Sequence, residues 1–196
     1  MNGIFNILFV ISNGLLIPVV LILLYLLCKA LIIVVGFYNE YRKQKLISSA
    51  MQEITHNYSY ERLVDTDVSL GSMSDAPVVS CLRDMVAHKD DRIYCEHTLA
   101  DFQVEVQKIL SKNRMLIKFG PMLGLMGTLI PMGPALVGLA VGDIASMAYN
   151  MQVAFATTVI GMLVAGIGLA TLQVNQRFYA RSFNALEFIY LKITER

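Results

Sequence analysis

Two blocks of this 196-residue sequence are almost free of charge, and they decide what the chain can become. Between Gly3 and Asn39 the only charged side chain is Lys29, and between Phe119 and Gln176 it is Asp143. A helix needs roughly 20 apolar residues to cross a bilayer. The first block therefore supplies one span, and the second, too long for one, supplies two. Within the second, Ala140-Val141-Gly142-Asp143-Ile144-Ala145-Ser146 holds a Gly-Asp turn, which puts the second and third spans at about 118–141 and 147–174. Composition agrees. With 56% hydrophobic residues, 16% charged ones and a mean hydropathy of +0.57, too little polar surface is left for a soluble domain. The expected fold is an all-α membrane protein with three transmembrane helices.

Orientation follows from where the cations lie. Arg42, Lys43 and Lys45 follow the first span; Lys108, Lys112, Arg114 and Lys118 precede the second; Arg177 and Arg181 follow the third. Neither the residues before the first span nor the Asp143 turn carries a Lys or Arg. Cytoplasmic flanks hold the positive charge, so the N-terminus is expected outside and the C-terminus in the cytoplasm. The first span does not read as a cleaved leader, because no basic residue precedes it and no small-residue cleavage site follows. Pro18 is expected to bend it or to mark its outer turn. The resulting organisation is a first span over 1–36, a cytoplasmic helical domain over 37–114, a transmembrane hairpin over 115–176 and a cytoplasmic C-terminal helix over 177–196.

In the cytoplasmic part, Leu99, Phe102, Val106 and Ile109 recur at helical spacing, and no Gly or Pro separates them from the second span. One long helix is expected there. Ser69 to Pro77 has the composition of a loop, with Ser74 or Asp75 placed to cap a helix that Pro77 begins. Asp90-Asp91 reads as a solvated turn. Cys81, His88, Cys95 and His97 match no common zinc spacing, so neither a metal site nor a disulfide framework is expected. There is no phosphate-binding loop, triad spacing or catalytic carboxylate pair. No enzyme and no cofactor are expected, and a net charge of +1 is too small for a nucleic-acid partner.

The hairpin carries the informative residues. Its first helix is rich in glycine (Gly120, Gly124, Gly127, Gly133, Gly138), and its second carries Gly161, Ala165 and Gly168. Small residues at such spacing let membrane helices approach closely. Polar side chains are few, with Thr128, Thr157, Thr158 and Thr171 among them. Pro131 and Pro134 have no amide hydrogen, so they leave the carbonyls of Gly127 and Ile130 without helical partners and are expected to distort the helix. Such carbonyls are tolerated where they face protein or water rather than lipid. No ionisable residue lies in the middle of either span. A proton path through the hairpin would therefore need an acid from another chain.

Leu123-Gly124-Leu125-Met126-Gly127-Thr128-Leu129-Ile130, followed by Ala156-Thr157-Thr158-Val159-Ile160-Gly161-Met162, resembles the paired signature of the MotA/TolQ/ExbB proton-channel family. The three-span layout is similar to the ExbB and TolQ branch. The resemblance implies a homopentamer whose second and third spans enclose a pore. Within the pore it implies a dimer of a small single-span partner, like ExbD, TolR or MotB, that carries a membrane Asp. It also implies an inner-membrane location and an ion-driven motor. By motif position, Thr128 and Thr158 match the family's pore threonines, and Thr157 stands at an alanine-like position. Gly124, Gly127, Gly161 and Ala165 fall to helix packing. Where Ton and Tol relatives carry a Glu five residues before the threonine, this chain has Val153, as in the motor-stator branch. A membrane scaffold without ion conduction is the alternative, and a small solute transporter a more distant one, since no inverted repeat or midplane binding residue is visible.

Overall fold

The computed structural model describes residues 2–56, 76–89 and 91–194. Every element assigned among them is α-helical: α1 (Asn2–His56), α2 (Pro77–Ala87), α3 (Arg92–Ala140) and α4 (Ile144–Thr194). Three of these are long and apolar enough to cross a membrane: α1 over Val10–Phe37, α3, and α4. Each far exceeds the roughly 20 residues a bilayer requires. Pro18 does not mark a turn, since α1 continues through it on both sides. Likewise α3 stays helical through Pro121, Pro131 and Pro134.

The helix ends show why the chain turns where it does. Asp91 caps α3, its side chain accepting the Tyr94 amide at 3.0 Å, so this member of the Asp90-Asp91 pair has a structural duty as well as a solvated one. At the start of α2, Ala76 occupies the capping position without a side-chain bond, and Pro77 opens the helix. Ser74 and Asp75, the expected caps, lie outside the described residues, as does most of the Ser69–Pro77 loop. Between α3 and α4, Gly142 adopts a φ of +79°. The Asp143 amide bonds the Gly138 carbonyl at 2.8 Å and the Gly142 amide bonds that of Leu139 at 3.2 Å. This is the Schellman arrangement, which needs glycine at its left-handed position. Asp143 then caps α4 through its carboxylate and the Ser146 amide, 3.0 Å away. The single acid of the apolar block therefore serves the turn, both ending one helix and starting the next.

By contacts the chain divides into two units. One comprises Met1–Val35 with Asn113–Thr171, the other Gly36–Lys112 with Leu172–Arg196. In the first, Ala30 of α1 is enclosed with Leu116 and Val164, and Leu26, Leu27, Ile33, Ile160 and Ile167 pack around them. Outside this core Ile17, Ile32, Leu129, Val159 and Met162 all stand exposed. An apolar surface of that extent suits lipid or neighbouring protein rather than water.

In the second unit, Val78, Leu82 and Met85 of α2 are buried, as are Leu99, Phe102 and Val106 of α3 and Leu186 and Ile189 of α4. Phe102 meets Tyr179 edge-on, ring centroids 6.4 Å apart. The expected amphipathic face of α3 is buried, with Leu110 enclosed beside half-buried Ile109. Along α4, buried positions recur alternately at three and four residues (Ala154, Thr157, Gly161, Val164, Gly168, Thr171, Asn175, Phe178, Ser182, Ala185, Ile189). That seven-residue repeat is the pattern of helices meeting side by side.

Candidate functional site

The hairpin's two helices meet through glycine. A Cβ placed on Gly161 would lie 2.5 Å from the Gly120 carbonyl oxygen, and one on Gly120 would lie 2.6 Å from that of Gly161. The backbones therefore touch directly. Two turns further along α3, a Cβ on Gly127 would fall 2.6 Å from both Cβ and Oγ1 of Thr157. Gly124 is less crowded, its nearest atom being the Thr157 carbonyl oxygen at 3.4 Å. Ala165, half-buried, meets the Gly120 position through its amide nitrogen at 3.1 Å and its Cβ at 3.4 Å. Gly168 receives Leu116, Ile117 and the Asn113 carbonyl, all within 3.2 Å of where its Cβ would stand.

The three candidate threonines do not share one environment. Thr157 is buried in the seam, with its hydroxyl donating to the Ala154 carbonyl at 2.8 Å and lying 3.2 Å from that of Val153. Thr128 and Thr158 are each partly exposed. Thr128 donates to the Leu125 carbonyl at 2.7 Å and Thr158 to that of Ala154 at 3.2 Å. Pro131 is buried and Pro134 half-buried within α3. Lacking amide hydrogens, they leave the Gly127 and Ile130 carbonyls without helical donors, the first next to Thr128 and the second two residues beyond it.

The structure also shows polar groups that sequence reading passed over. In the second unit the Gln44 amide donates to the Asn175 side-chain oxygen at 3.1 Å, both residues being buried. Gln44 Oε1 and Ser182 Oγ are buried without a partner. A signal was present: Gly161, Gly168, Asn175 and Ser182 stand seven apart, at one position of the α4 repeat. A polar residue there fixes the register of helix pairing.

The four cysteine and histidine candidates scatter. Cys95 Sγ bonds the His88 carbonyl at 3.4 Å, Cys81 Sγ lies 3.8 Å from the Met85 sulfur, and exposed His97 pairs with Asp101 at 3.1 Å. Among the described residues no three His, Cys, Asp or Glu side chains gather to hold a metal. Burial, with help from Asp84 and then Cys95, pushes the Cys81 thiol up from 9.0 to about 12. The folded state thus favours the protonated thiol. That contribution to stability is complete below pH 9.0 and is lost as pH rises towards about 12. Across this range, wild-type protein is expected to lose more thermal stability than Cys81→Ala, as followed by melting in detergent. At neutral pH, Cys81 holds roughly a thousandfold less thiolate than an ordinary thiol and should resist maleimide.

The sequence profile of the MotA/TolQ/ExbB proton channel family matches residues 72–187. No curated protein and no solved structure matches the chain. The matched stretch holds α2, α3 and nearly all of α4, with the whole glycine-threonine seam inside it. With more than half its length matched and three helices fit to cross a membrane, this multi-pass membrane protein belongs to the MotA/TolQ/ExbB proton channel family.

Proposed function

We propose that the chain is the pore-forming subunit of an ion-driven motor, most simply a proton motor, in an inner membrane. Five copies surround a central pore walled by the α3–α4 hairpins. A dimer of a small single-span protein of the ExbD, TolR or MotB kind stands within it and is moved by ion flow. The observation that carries this reading is the family match across the hairpin, whose two helices bear Thr128 and Thr158. The cation distribution supports a cytoplasmic placement for the 37–114 segment and the end of α4, with the Gly142-Asp143 turn outside. Each elementary charge crossing about 100 mV releases roughly 2.3 kcal/mol, enough to drive a conformational step.

The hairpin has no acid of its own at membrane depth, so the titrating group has to come from the partner. Thr128 and Thr158 would then line the ion's route beside the partner's Asp. Native mass spectrometry of the complex in mild detergent is expected to show five copies of the chain with two of the partner. A stable monomer, with no small protein copurifying, would instead support a membrane scaffold that uses its glycines for packing alone.

A further inference from the structure

Gly127 and Thr157 fit each other as a gap and its filling. A Cβ on Gly127 would stand 2.6 Å from the Thr157 Cβ, so the glycine is the room in which that side chain sits. Thr157 is only 4% exposed, and its hydroxyl donates to a carbonyl of its own helix. The residues that follow each of them, Thr128 and Thr158, are partly exposed. At 3.6 residues per turn, neighbours on a helix point about 100° apart. Seating Gly127 against Thr157 therefore sets the rotation of both helices at once, and with it the directions of Thr128 and Thr158. The need for such a seat is local. Pro131 denies the Gly127 carbonyl its helical donor, so α3 has one rung fewer to hold its own twist at that point.

We infer that Thr157 is a positioning residue: its Cβ, Oγ1 and methyl, all lodged against Gly127, set the directions in which Thr128 and Thr158 point, and its hydroxyl takes no part in ion transfer. The inference rests on the proposed reading of Thr128 and Thr158 as the ion's route. It removes Thr157 from that route, although its place beside Thr158 in the sequence had made it a candidate. What matters at this position is shape.

The test uses the full chain assembled with its partner in proteoliposomes, reading partner-dependent ion flux against pH together with native mass and melting temperature. Thr157→Val keeps the shape and removes the hydroxyl, so flux is expected within about twofold of the parent with a superimposable pH profile. Gly127→Ala fills the gap and should lower flux by about tenfold or more. The double variant Gly127→Ala/Thr157→Ala, which moves the missing volume across the seam, should recover assembly, melting temperature and most of the flux. Loss of flux in Thr157→Val with intact assembly would overturn the inference and leave the ion-route reading standing. So would a double variant no better than Gly127→Ala while Thr157→Ala alone is active. Full activity of both Thr128→Val and Thr158→Val would sink the ion route instead, and recovery of the double variant's melting temperature would still report the seat.

Discussion

Replacing Thr158 or Thr128 by Val is expected to abolish the partner-dependent process while the complex assembles with its normal mass. Valine matches threonine in shape, and both side chains are only partly buried, so packing changes little. What is lost is a hydroxyl that donates to its own helix, at 3.2 Å for Thr158 and 2.7 Å for Thr128, and keeps its lone pairs free. A low-dielectric route without those oxygens leaves a passing cation to cross an apolar wall, at a cost of several kcal/mol. Flux in proteoliposomes and native mass on the same preparation separate this from misassembly. Normal flux in both variants would remove the threonines from the mechanism.

The largest structural effect is expected at Gly161. An added Cβ there would meet the Gly120 carbonyl oxygen at 2.5 Å and the Gly124 Cα at 3.0 Å. Both are backbone, so no rotamer change relieves the clash and the helices have to part. Gly161→Ala should cost about 3 kcal/mol, the upper part of the range for overfilled cores, and should lower both melting temperature and oligomer yield. Two neighbours serve as controls. Gly124→Ala would make only ordinary contacts, starting at 3.4 Å, and Gly166→Ala would meet nothing within 4 Å. The first should be mild; the second should be neutral or stabilising by about 0.5–1 kcal/mol, because alanine favours the helix. Equal damage at Gly161 and Gly166 would mean that the seam does not hold the hairpin as described.

Much of the architecture was legible because the bilayer simplifies the problem. Charge-free blocks count spans, and the Gly142-Asp143 pair names the turn from local rules alone. The glycine-rich face also announced close packing. Its fine structure did not show in the sequence, because crowding depends on the neighbouring helix. Gly124 and Gly161 look alike as letters, yet one has ordinary room and the other touches backbone. The same holds for Thr157 and Thr158, adjacent residues of which the α4 rotation buries the first and leaves the second partly exposed. Gln44 and Asn175 lie 131 positions apart, and no local pattern links partners at that distance.

On the proposed ion route, the threonine hydroxyls have a further consequence for what could pass. A hydroxyl has one hydrogen and two lone pairs. Thr128 and Thr158 each direct that hydrogen inward to a carbonyl of their own helix, so only electron density remains to face outward. A surface wired in this way welcomes a hydronium or a bare metal cation and gives chloride no proton to hold. It would filter by the sign of charge although it bears none itself.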